Sequence, residues 1–132
     1  MIYTKGVIKM LELNSFLLFS EDPKKLSDFY KKVFQKEPDW GEGGYQGFAV
    51  GKGFITIGPH EKVHGKNPNP ERFMFNLETE DVKGEFARIK ALGANVVAKP
   101  YQPQEAEGIW IATFADPDGN YFQLMTPWKG EN

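Results

Sequence analysis

The chain has 132 residues, 40% apolar and 26% charged, a size and balance suited to one compact domain that folds unaided. Sixteen Lys and Arg against eighteen Asp and Glu give a net charge of −2 with the basic residues dispersed, which argues against nucleic acid as a partner, because phosphate binding rests on concentrated positive charge. The absence of cysteine excludes disulfides and thiolate chemistry, and Met1 to Leu13, carrying Lys5 and Lys9, holds no apolar run long enough for a signal-peptide core or a membrane span, so the expected location is the cytoplasm.

Leu13 to Phe19 is an apolar run of strand length, closed by Ser20, Glu21, Asp22 and Pro23, which read as a helix start. From Lys24 to Lys36 the apolar residues Leu26, Phe29, Tyr30, Val33 and Phe34 recur at helical spacing and leave the lysines to solvent. Pro38, Gly41, Gly43 and Gly44 break that pattern. Gln46 to Val50 and Phe54 to Gly58 then read as short strands around Gly51 to Gly53, so the first half is βαβββ with its second strand unassigned.

Gly65 to Glu71, with two prolines and two asparagines, reads as a linker. The order then restarts. Arg72 to Leu77 is strand-like, Glu80-Asp81 starts a helix with Val82, Phe86, Ile89 and Leu92 as its apolar stripe, and Gly93 stops it. Ala94 to Ala98, Ile109 to Phe114 and Tyr121 to Met125 are the following strands, the last two joined by the turn Asp116-Pro117-Asp118-Gly119-Asn120. Glu21-Asp22 and Glu80-Asp81 stand at matching places in two βαβββ units, spanning about residues 11–64 and 71–128 of a single domain, 1–132. An α+β sandwich without duplication fits the same alternation.

The stretch Leu13 to Pro23 followed by Asp28-Phe29-Tyr30, the stretch Arg72 to Asp81, and above all Asp116 to Leu124 resemble the vicinal oxygen chelate superfamily, which contains the glyoxalase, bleomycin-resistance and extradiol dioxygenase-like proteins. The resemblance implies an α+β fold of two βαβββ modules whose curved sheets enclose a cleft, usually a homodimer, binding or transforming small molecules. In metal-dependent relatives, His and Glu ligands come from the first and last strands of each module. Their places here fall on Ser15, on Thr56 (aligning Phe54 to Ile57 with Tyr121 to Leu124), on Arg72 and on Gln123. None is an imidazole or carboxylate, and a guanidinium repels a cation, so no metal site and no cofactor are expected.

Period-two alternation puts Leu17, Phe19, Met74, Asn76, Tyr121 and Met125 on the cleft side and Phe16, Leu18, Phe73, Phe75, Phe122 and Leu124 against the helices. The candidate ligand-binding residues are therefore Ser15, Thr56, His60, Arg72, Asn76, Trp110 and Gln123, few polar groups in an apolar concavity, with Arg72 favouring a carboxylate or phosphate. Pro59 and Gly65 flank the two histidines, His60 and His64, and make them loop residues, but alternation aims His60 at the cleft mouth, where it is the candidate catalytic base. Trp40, Tyr45, Phe48, Tyr101 and Trp110 can wall a pocket, cover a dimer seam or fill the core, with Trp110 the first choice for the wall. The leading expectation is a metal-independent protein that binds or sequesters a small organic molecule. An enzyme using His60, Glu105 or Glu107, and an interaction module with a vestigial cleft, are the alternatives.

Overall fold

A computed structural model describes residues 10–104 and 107–128. The elements run β1 (Ser15–Ser20), α1 (Pro23–Phe34), β2 (Trp40–Glu42), β3 (Tyr45–Val50), β4 (Gly53–Pro59), a 3-10 turn (Pro70–Arg72), β5 (Met74–Glu78), α2 (Val82–Ala91), β6 (Asn95–Tyr101), β7 (Ile111–Ala115) and β8 (Tyr121–Met125). They form two four-stranded sheets of one design, β1-β4-β3-β2 and β5-β8-β7-β6. In each the first strand lies parallel to the last and the other pairs are antiparallel. The chain is thus an α+β fold of two βαβββ modules. The unassigned second strand is Trp40–Glu42, three residues long, with a glycine at its centre.

The two modules start their helices in the same way. Asp22 caps α1 by accepting a hydrogen bond from Lys25 N (3.2 Å), and its own N–H donates to Ser20 Oγ. Asp81 caps α2 by accepting from Gly84 N (2.9 Å), while its N–H donates to Thr79 Oγ1. Such side chains satisfy N–H groups that have no partner inside the helix. Gly93, with φ 95°, closes α2 in a conformation that favours glycine.

One core serves both modules. Leu18, Leu26, Tyr30, Val33, Phe48, Ile55 and Ile57 of the first are buried with Val82, Ile89, Ala112, Phe114, Phe122 and Leu124 of the second. At the seam between β1 and β5, Phe16 and Phe75, which occupy equivalent places in the two modules, stand with ring centroids 5.3 Å apart. Tyr30 of α1 packs on Phe122 (5.6 Å) and Phe75 (6.0 Å) and donates from its hydroxyl to Asp116 Oδ2 (2.7 Å). Arg88 of α2 reaches back to the carbonyls of Lys32 and Val33 at the end of α1. The linker is fastened too: Asn67 N donates to the Asp118 carbonyl and its amide to Asn120 Oδ1.

The predicted alternation holds for Phe16, Leu18, Phe75, Phe122 and Leu124, which face the helices. Phe73 is a correction. Pro70 opens a 3-10 turn that runs through Arg72, so the strand begins only at Met74, and Phe73 is 72% exposed. Leu92 is exposed as well, because α2 ends at Ala91.

Candidate functional site

The sheet faces turned away from the helices form two walls. Strand register defines them, since directly paired residues point to the same side. On the first wall Leu17 pairs with Thr56, and Thr56 with Gly47. Tyr45, Phe54 and Phe19 extend this face by alternation, and Trp40, paired with Gly47, ends it at the sheet edge. On the second wall Asn76 pairs with Gln123, Gln123 with Thr113, and Met74 with Tyr121.

Between the edge strands β1 and β5 runs a groove with a volume of about 600 Å³. Ser15, Phe54, Phe73, Met74 and Asn76 are among the residues that line it, together with the exposed Leu13. The groove takes residues from both modules, as a cleft between paired modules requires. Another hollow, of about 470 Å³, lies between α1 and the glycine-rich β2–β3 turn, but both lysines on its walls, Lys24 and Lys31, pair with Asp28 there, at 2.9 and 3.6 Å.

The structure brings some of the expected site residues together and separates others. Ser15 and Asn76 share the groove. Thr56 and Gln123 occupy equivalent places on the two walls, each beside the first strand of its module. Gln123 Nε2 donates to Thr113 Oγ1 at 3.0 Å, which fixes the amide against its own sheet. His60 is exposed beyond the end of β4; its Nδ1 accepts from Lys62 N (3.1 Å), and its ring stands edge-on to Phe19 at 5.1 Å.

Arg72 and Trp110 are corrections. Arg72 lies in the 3-10 turn and is exposed, outside the strand that would have aimed it at the cleft. At the same distance before the caps Asp22 and Asp81 stand Ser15 and Met74, and these also hold equivalent pairings, Ser15 with Phe54 and Met74 with Tyr121. The second-module counterpart of Ser15 is therefore Met74. Trp110 shares the parity of Ala112 and Phe114 and packs on the core from the helix side, with Lys83 Nζ 4.0 Å from its ring centroid. Of the two loop carboxylates considered as acid or base, Glu107 is exposed and Glu105 falls outside the described residues.

With that correction the four places read Ser15, Thr56, Met74 and Gln123: two hydroxyls, a thioether and an amide. Hard or borderline divalent metals take carboxylate or imidazole donors, and this set offers neither, so it does not fit the metal site of the superfamily. Among the described residues, no three His, Asp or Glu side chains are grouped closely enough to hold an ion. No helix there is long and apolar enough to cross a membrane.

One buried titratable pair lies behind the second wall. Asp116 is 1% exposed, and burial raises its pKa, against the opposing hydrogen bonds from Tyr30 and Asn120. Burial, and then the charge of Asp116, hold the Tyr30 hydroxyl well above its ordinary range. Both groups face the core, and their bonds tie the Asp116–Asn120 turn to α1.

A family model described as glyoxalase-like domain matches residues 15–125. Among solved structures, a glyoxalase/bleomycin resistance protein/dioxygenase family enzyme from Burkholderia phytofirmans is 21% identical, with a TM-score of 0.71 over 88% of this chain and 98% of that one. A glyoxalase-related enzyme from Fulvimarina pelagi is 13% identical, with a TM-score of 0.72 over 89% of each chain. A fosfomycin resistance protein from Listeria monocytogenes is 21% identical, with a TM-score of 0.66 over 93% of this chain and 97% of that one. At these identities the likeness is one of fold. No curated protein matches the chain.

Proposed function

The chain belongs to the glyoxalase-like domain family, and we propose that within it this protein binds or sequesters a small organic molecule in the cleft between its modules without a catalytic metal. The observation that carries this reading is the groove along the β1–β5 seam, which draws apolar side chains and a few polar ones, Ser15 and Asn76, from both modules. The donor set supports the metal-free part, because Lewis-acid activation of a substrate oxygen needs ligands that hold the ion, and Ser15, Thr56, Met74 and Gln123 are poor ones. We place the protein in the cytoplasm as a homodimer. The exposure of Val97 and Tyr101 on the edge strand β6 supports a second copy, since large apolar side chains left open on a sheet edge mark contact surfaces.

Elemental analysis of the purified protein, followed by calorimetric titration with Ni, Zn, Fe and Mn, tests the reading. The wild type is expected to carry no stoichiometric metal and to take none up tightly, whereas Ser15→His/Met74→His/Gln123→Glu is expected to gain a site. Tight one-to-one metal binding by the wild type overturns the proposal. A second reading, acid-base catalysis, draws support from the place of His60 beside Phe19 at the end of the first wall. Turnover of an oxygenated substrate that is lost in His60→Gln with binding retained would favour it.

A further inference from the structure

None of the described residues that line the groove along the β1–β5 seam is ionisable; its polar members are Asn14, Ser15 and Asn76. Arg72, which would have favoured a carboxylate or phosphate, stands exposed in the 3-10 turn before β5. Alternation and pairing put Glu42, opposite Tyr45, and Glu78, opposite Met125, on the open faces of β2 and β5, and both are anions. An anionic ligand would therefore lose hydration in the groove with no cation there to replace it, at a far greater cost than a neutral polar group whose hydrogen bonds are restored.

What the second wall offers is a row of neutral hydrogen-bonding groups. Asn76, Gln123 and Thr113 stand side by side on β5, β8 and β7, in register and on one face. Thr113 is 4% exposed, and its Oγ1 accepts from Gln123 Nε2 at 3.0 Å. A carboxamide carries its nitrogen and its oxygen on opposite sides, so this bond turns Gln123 Oε1 away from β7, to the side on which Asn76 stands. The oxygen is left as an acceptor beside the exposed Asn76, whose side chain brings both a donor and an acceptor to the groove. The matching row of the first wall is Leu17, Thr56 and Gly47, so the two modules' shared backbone does not call for these amides, and asparagine is disfavoured inside a strand.

We propose that the groove takes neutral ligands bearing a carboxamide, whose N–H donates to Gln123 Oε1 while its carbonyl accepts from Asn76 Nδ2, and that it discriminates against the corresponding carboxylates; this rests on the reading of the cleft as a small-molecule site. A carboxylate meets Gln123 Oε1 as one acceptor meets another, and an ester, though neutral, has no donor for it.

Three probes of one shape separate charge from donor capacity: cyclohexanecarboxamide, methyl cyclohexanecarboxylate and the cyclohexanecarboxylate anion. Titration of the nitrogen-15-labelled full chain at neutral pH is expected to shift the side-chain amide resonances of Asn76 and Gln123 and to show the carboxamide binding about fivefold tighter than the ester and about tenfold tighter than the anion. In Asn76→Leu and Gln123→Met, which keep the bulk of each side chain and remove its amide, the carboxamide's lead over the ester is expected to vanish. An anion or an ester that binds as tightly as the carboxamide, or a lead that survives both substitutions, overturns the amide pairing and leaves the cleft standing. Failure of all three probes to bind overturns the pairing and the cleft reading together. Asn76 is exposed, so its replacement keeps the test open if Gln123→Met does not fold.

Discussion

The two modules use one set of rules for their backbones and opposite choices for their open faces. Both begin a helix with an Asp cap whose N–H is held by a hydroxyl two residues earlier, and both pair first strand with last in the same register. On the faces turned from the helices, the first module sets aromatic rings over glycine where the second sets Ile111, Thr113 and Met125. Backbone rules constrain a fold wherever it recurs, whereas the open faces are free to diverge once the register is fixed. Function in such a duplicated fold is read from the places where the two copies disagree.

The core also divides unevenly, and the largest expected effect follows from that. Phe122 has four aromatic rings around it, Phe29, Tyr30, Phe75 and Phe114, at 5.6 to 6.1 Å, drawn from both modules. Its counterpart in the first module, Ile55, is 7% exposed at the edge of the seam groove. Phe122→Ala is expected to cost about 3–5 kcal/mol of stability and Ile55→Ala about 2 kcal/mol, both by urea unfolding. An Ile55→Ala loss equal to that of Phe122→Ala would show that the core does not centre on the second module.

Next in size is the bond that joins the modules through Tyr30 and Asp116. Tyr30→Phe removes a donor from a buried carboxylate and is expected to cost about 1.5–3 kcal/mol at neutral pH. The folded-state pKa of Asp116 is raised, chiefly by burial, so its ionised form opposes folding above that pKa and the opposition fades as pH falls through it. Removing the hydroxyl takes away a bond that lowers this pKa and so enlarges the opposition. The difference between Tyr30→Phe and wild type should therefore be larger at pH 7 than near pH 4. A pH-independent difference would mean that the bond matters only through packing.

Much of this was legible in the sequence. The paired Glu-Asp starts, the helical stripes and the Asp116 to Asn120 turn each rest on local chemistry, and local chemistry gave both modules and the faces of β1, β5 and β8. Arg72 was misplaced because Pro70 delays the strand by a 3-10 turn, although counting back from Asp81 as from Asp22 leads to Met74. Trp110 was assigned to the wall against its own alternation, since residues 110, 112 and 114 share a face. The packing of the Tyr45, Phe54 and Trp40 rings over Gly58 and Gly47 was out of reach. It depends on which residues of β2, β3 and β4 stand opposite one another, and that register is set by a three-residue strand in a glycine-rich stretch whose sequence carries little pattern.

The smallest expected effect tests the shared rule itself. In α2 the cap bond from Gly84 N to Asp81 is 2.9 Å, and a Cβ on Gly84 would stand 2.1 Å from the Asp81 carboxylate. In α1 the matching place is Lys25, which has a Cβ, and its cap bond to Asp22 is 3.2 Å. The glycine thus gives α2 the closer cap at the expense of helix propensity, so the two substitutions should be coupled. Asp81→Ala alone is expected to cost about 1 kcal/mol. Gly84→Ala should destabilise the wild type by crowding the carboxylate, yet in the Asp81→Ala background, with nothing left to crowd, it should stabilise by about 0.5–1 kcal/mol through the better propensity of alanine. The change of sign, read from a four-member unfolding cycle, is the decisive observation. The same sign in both backgrounds would mean that Gly84 is not there for the cap, and that the closer bond in α2 has another origin.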